Sequence, residues 1–339
     1  MLSRRSSLAL IIVTLAAVAA AVAVVLGERD SNRAADRAAL FPGIEQEFDR
    51  VTEIEIADRD GAVVIRRAGD EQWVLPDKHD YPADRAMVRR LILSFGRMTV
   101  IEPKTRQPEL HDRLGLGDID NEKSRARRVT LRGGDKEVAS LLVGDRAASS
   151  APGGSTSGGE RAYVRRPGEA ATWLVDHVPD ISAKQSEWMD DRLFTLQKER
   201  IAEIVVRHDN GEELRLARDK AEDDFALDQL PKGRKLKTYG GPEALASSLA
   251  FLSFDDVRPA GDEDEAETAR VTFRTFDGLS VTLGIQGNWV RFAAEGEGPE
   301  ATDINERLGR WRFELPDYKI RDLTPMLDQL LAPENEKAS

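Results

Sequence analysis

Alternation of apolar and polar residues begins at Val51. Ile54-Glu55-Ile56, Val63-Val64-Ile65 and Trp73-Val74-Leu75 are separated by the turn signals Asp60-Gly61 and Ala68-Gly69-Asp70. A period of two broken by such turns predicts an antiparallel meander. The period then changes. Asp84 is placed to cap a helix, Met87, Val88, Leu91, Ile92 and Phe95 form its apolar stripe, and Gly96 is placed to end it. Arg128–Arg132, Val138–Val143, Ala162–Arg165 and Thr172–Val175 are further predicted strands.

The same order then returns. Ile201-Ala202-Glu203-Ile204 answers Val51-Thr52-Glu53-Ile54, Asn210-Gly211 answers Asp60-Gly61, and Phe225-Ala226-Leu227 answers Trp73-Val74-Leu75. Leu245, Leu249 and Leu252 make a second helical stripe after Gly241-Pro242, with proline at a favoured first position. Val271-Thr272-Phe273 matches Val129-Thr130-Leu131, and Thr282-Leu283-Gly284 matches Leu142-Val143-Gly144. Trp289-Val290-Arg291 matches Tyr163-Val164-Arg165, and Trp311 matches Trp173. Each match is weak alone; in one order they predict a tandem duplication. Its period exceeds the ~20–50 residues of a solenoid unit. The predicted fold class is therefore α+β: two duplicated modules, each an antiparallel sheet with one covering helix. The modules are placed at residues 51–200, including a bridge over 187–200, and 201–331, with a tail over 332–339.

Ahead of this body, Leu8–Leu26 contains no charge. As a helix at ~1.5 Å per residue it would reach about 28 Å, close to the ~30 Å hydrocarbon core of a bilayer. Arg4 and Arg5 precede it and Glu28 is the first acid of the chain, so the positive-inside rule sends the body across the membrane. Residues 1–27 are read as one transmembrane anchor and 28–50 as a tether. A cleavable signal peptide, cut at Ala19-Ala20-Ala21 or Ala21-Val22-Ala23, is the competing reading and exports the same body.

Composition narrows the chemistry. The chain has 339 residues, 49 basic and 61 acidic, for a net charge of −12, which disfavours nucleic acid as a partner. No cysteine is present, which removes disulfides, thiolate metal sites and thiol nucleophiles. His79, His111, His177 and His208 lie too far apart for a zinc-helix motif and are expected as solvated surface histidines. The acidic run Asp262-Glu263-Asp264-Glu265 lacks the spacing and inner glycine of a calcium loop. Asp190-Asp191 beside Trp188 is a slight glycosidase-like signal, and a helix end with Trp188 buried is the preferred reading. The loop Ala151–Gly159 has no lysine-hydroxyl pair for phosphate, and Gly296–Ala301 places proline and acids where a pyrophosphate would sit. Arg125-Ala126-Arg127-Arg128 reads as a charged sheet edge. Trp73, Trp173, Trp289 and Trp311 fall beside aliphatic strand positions and are expected in the core. No catalytic, cofactor-binding or metal-ligating residue is assigned.

One resemblance covers most of the chain. The apolar N-terminal segment, Leu40-Phe41-Pro42, Val51–Ile56, Trp73-Val74-Leu75, Tyr81-Pro82-Ala83-Asp84, Leu114-Gly115-Leu116, Leu142-Val143-Gly144, Tyr163-Val164-Arg165 and Trp188–Phe194 resemble an uncharacterised bacterial family, the domain-of-unknown-function family numbered forty-three forty. The resemblance implies a membrane-anchored periplasmic protein whose gene often neighbours gliding-motility-type ABC transporter components. It implies an accessory role and carries no active-site residues. Two expectations follow: an accessory or scaffold module that binds an envelope protein, or an exported protein that binds or hydrolyses envelope polymer.

Overall fold

In the computed structural model the described residues are 38–147, 161–250, 252–261 and 266–333. The expected anchor, the Gly/Ser loop 151–159 and the acidic run 262–265 lie outside them. Among the described residues no helix is long and apolar enough to cross a membrane. The chain divides into two compact units, Met1–Met189 and Asp190–Ser339.

The strands of the first unit are β1 (Ala38–Ala39), β2 (Glu53–Ala57), β3 (Ala62–Arg67), β4 (Trp73–Leu75), β5 (Tyr81–Pro82), β6 (Thr99–Pro103), β7 (Arg127–Gly133), β8 (Lys136–Arg146), β9 (Ala162–Arg165) and β10 (Thr172–Asp176). They form one antiparallel sheet in the order β1-β6-β10-β9-β8-β7-β2-β3-β4-β5. Alternation explains the strands: on β2, Ile54 and Ile56 are fully buried while Glu53 and Glu55 keep partial exposure. The turn after it is set by Asp58, whose Oδ1 accepts from the Asp60 and Gly61 amides at 2.8 and 3.0 Å. Helix α1 (Arg85–Arg97) is capped as expected, with the Asp84 carboxylate accepting from Ala86 N and Met87 N at 2.7 and 3.0 Å.

Two expectations change here. The segment read as a tether over 28–50 holds structure from Ala38 on, because β1 and a 3₁₀ helix over Ile44–Arg50 lie in it, with Leu40 and Ile44 buried. Gly96 does not end the helix, which continues to Arg97. A Cβ there would lie 3.0 Å from Glu45 Cγ and 3.3 Å from Phe48, so this glycine lets the 3₁₀ helix approach.

The second unit contains β11 (Ile201–His208), β12 (Glu213–Ala217), β13 (Ala226–Leu227), β14 (Asp256–Pro259), β15 (Ala269–Thr275), β16 (Ser280–Gln286), β17 (Trp289–Glu295) and β18 (Trp311–Glu314). Helices α2 (Pro242–Ser247), α3 (Pro299–Leu308), α4 (Asp317–Leu323) and α5 (Leu327–Leu330) accompany them. Its antiparallel sheet runs β14-β18-β17-β16-β15-β11-β12-β13. Placed beside β6-β10-β9-β8-β7-β2-β3-β4, this is the same strand order. The fold is α+β with two antiparallel sheets.

Details of the pairing depart from the sequence matches. Leu142 stands opposite Arg128, and Gly284 opposite Arg270, so Leu142 corresponds to Gly284 and not to Thr282. Trp173 lies opposite Val164 as Phe313 lies opposite Val290, which moves Trp173 off Trp311 by two residues. Helix α2 ends at Ser247, so Leu249, though buried, lies beyond it. Helix α3 has no counterpart among the described residues of the first unit. It packs its Ala301, Ile304 and Leu308 inward, and Asn305 bonds both the amide and the carbonyl of Ala294 on β17.

Candidate functional site

Two open clefts lie within the second unit. The first, about 290 Å³, lies along Asp191–Thr195 with Leu252 and Arg307. Its wall is held by Arg307, which donates to the carbonyls of Arg192 and Leu193 at 3.0 and 2.8 Å and to Asp303 at 2.9 Å. Asp190, at the start of this segment, receives Arg192 Nε and Nη2 at 2.8 and 2.7 Å. Burial works against its charge, yet hydrogen bonds from Arg192 and the nearby Arg307 charge hold the carboxyl below the usual aspartate range. An ionised carboxylate with both oxygens engaged by a guanidinium is a poor general acid. Trp188 is 2% exposed in a 3₁₀ turn, with Nε1 donating to Ser182 O at 2.8 Å, so its ring offers no open platform.

The second cleft, about 330 Å³, is bounded by Gly240, Gly241 and α2 on one side and by α4 and α5 on the other. Lys237 and Arg321 face it together with Asp322 and Gln329. Sequence reasoning missed this cluster, although a signal existed: Lys232, Arg234, Lys235 and Lys237 follow one another with no acid between Asp228 and Glu243.

The histidines do not converge. His79 and His177 are exposed at left-handed backbone positions, and His208 is half-buried with its ring Nε2 3.2 Å from Pro325 O. His111 corrects the expectation of surface histidines: it is 6% exposed, its ring bonded to the Ala170 carbonyl at 3.0 Å. No group of three potential metal ligands occurs among the described residues. The arginines of Arg125–Arg128 are not on a sheet edge, because β7 lies inside the sheet between β8 and β2. Arg125 pairs with Asp145 at 2.6 Å, and Arg128 pairs with Glu55 at 3.2 Å. Of the tryptophans expected in the core, Trp73 and Trp311 are buried. Trp173 and Trp289 are half-buried beneath Arg166 and Arg258, and neither lines either cleft.

Several motif segments instead meet at a structural node of the first unit. Gly115 adopts a left-handed conformation (φ +68°), and Gly144 on β8 leaves room for the Leu114 carbonyl, which a side chain would strike. Leu116 packs with Ala126 and Leu142, flanked by Leu114 and Tyr163. Asp84 serves twice, capping α1 and donating its own amide to Trp188 O at 2.8 Å. The family model described as a domain of unknown function, DUF4340, matches residues 73–272. The chain belongs to that family. The DUF4340 match begins on β4 and ends on β15, so the family pattern runs through both units. Neither a curated protein nor a solved structure matches the chain.

Proposed function

We propose that this DUF4340 member is a non-catalytic accessory or scaffold protein of the bacterial envelope. Residues 8–26 hold it in the inner membrane, its body lies in the periplasm, and it works beside an ABC transporter-type complex. The body is two copies of one α+β module, a reading supported by the repeated strand order and by buried Leu91 and Leu249 after each helix start.

The observation that carries the binding role is how the chain spends its enclosed carboxylates. Glu203 is shared by Arg215 and Arg274, Glu55 by Arg128 and Arg132, and Asp190 by Arg192. Such pairs hold strands and loops, and those of Glu203 and Asp190 keep the carboxyl below its ordinary range, whereas acid-base chemistry needs a carboxyl poised near the working pH. The alternative, an exported protein that binds or hydrolyses envelope polymer, would draw on Asp190 and Asp191.

Affinity purification of the full chain from membranes tests the proposal. A transporter-type membrane protein should co-elute, and Asp190→Ala or Asp191→Ala should leave a cellular phenotype intact. A folded Asp191→Ala protein without function, and no co-eluting membrane protein, would overturn it.

A further inference from the structure

The cleft between α2 and the α4–α5 pair is lined by charged residues, and three exposed apolar side chains adjoin those lining residues in the chain. Lys237 and Arg321 face it, and neither has an ion pair or side-chain hydrogen bond among the described residues. Two cations brought to one concavity repel each other until an anion joins them. Gln329 Oε1 accepts from Met326 N at 2.8 Å, which leaves the Gln329 amide NH₂ to donate. Asp322 reduces the charge of the lining to one net positive, the complement of a carboxylate and a poorer match for a doubly charged phosphate.

Exposed neighbours of the lining residues supply the rest. Tyr239, next to Gly240, is 90% exposed. Tyr318 is 50% exposed and precedes Arg321 and Asp322 by one turn on the same face of α4. Met326, 38% exposed, stands at the start of α5. Tyrosine, methionine and arginine are the residue types enriched where proteins meet.

We propose that this cleft receives an acidic side chain of a partner polypeptide, with that partner's neighbouring apolar residues lying on Tyr239, Tyr318 and Met326. The proposal stands on the second unit alone and does not depend on the membrane anchor. Full-length protein in detergent would be titrated into a labelled peptide of alternating leucine and glutamate, a leucine-glutamine peptide, and glycerol phosphate, the anionic part of a phospholipid headgroup. The glutamate peptide should bind, with affinity falling as salt rises. Arg321→Gln and Lys237→Gln should each weaken it about tenfold, the scale of one hydrogen bond to a charged group. Asp322→Asn should tighten it. Unchanged thermal melting would show that the variants remain folded. Equal binding of the glutamine peptide, binding of glycerol phosphate without binding of the glutamate peptide, or indifference to both cation substitutions would each overturn the proposal.

Discussion

Arg165 donates two hydrogen bonds to the carbonyl oxygen of Leu116, from Nε at 3.3 Å and from Nη2 at 3.1 Å. The same guanidinium reaches Asp118 and the Glu169 carbonyl, and its side chain is only 5% exposed. The Leu114–Leu116 loop is thus fastened to β9 by a planar fork. Two segments that look like signatures in the sequence, Leu114-Gly115-Leu116 and Tyr163-Val164-Arg165, are halves of one fastening.

Replacing Arg165 by alanine should therefore lower stability by about 2–4 kcal/mol, because enclosed carbonyl acceptors lose their donor. Arg165→Lys should recover little, since a point charge cannot span both acceptors. A urea midpoint shifted down at unchanged slope would confirm the loss.

Glu203 gives a pH signature. Burial opposes its charge, but Arg274 and Arg215 overcome that and hold its carboxyl below the ordinary glutamate range. A depressed folded-state value means that the stabilisation is complete above the unfolded-state value of about 4.3 and is lost as pH falls from there through the folded value. Glu203→Gln should cost about 1–2 kcal/mol at neutral pH, the arginines being half exposed, and should flatten the acid limb of a stability-against-pH curve. An unchanged acid limb would refute this assignment.

Leu91 and Leu249 are 2% and 0% exposed. Truncating either to alanine should cost roughly 2–5 kcal/mol by lost transfer energy and a residual cavity. Denaturation of each variant, followed by tryptophan fluorescence, measures it.

Membrane retention tests the proposed anchor. The full chain should pellet with membranes and resist extraction by high salt, while a chain lacking residues 8–26, exported by a cleavable signal, should be released. A mature N-terminus near Ala23 would show that the segment is cut.

Much of the fold is legible in the sequence because strands such as β2, β16 and β17 alternate and are bounded by turn residues. Register is less so. Gly144 makes room for the Leu114 carbonyl, whereas Gly284 makes room for Glu267, so aligning the two glycines misplaces the strand by two residues. Irregular pairing at Val143/Arg146 and Leu174/Val175 adds offsets that no residue type announces. Helix α3 could have been read from Pro299, Ala301, Ile304 and Leu308, a proline start followed by helical spacing. Of the cationic cleft only the basic run Lys232–Lys237 shows in the sequence, because Arg321 on α4 is brought to the Lys237 loop by tertiary packing alone.

The pairing of β1 with β6, Ala38 opposite Val100, has a consequence for reach. Only the eleven residues between Leu26 and Ala38 separate the proposed span from the first sheet. A chain covers at most ~3.3–3.6 Å per residue, so this leash cannot exceed about 40 Å. A partner of the first unit's β1 edge must then present its surface within that distance of the bilayer, which selects the membrane-proximal face of a complex over anything deeper in the periplasm.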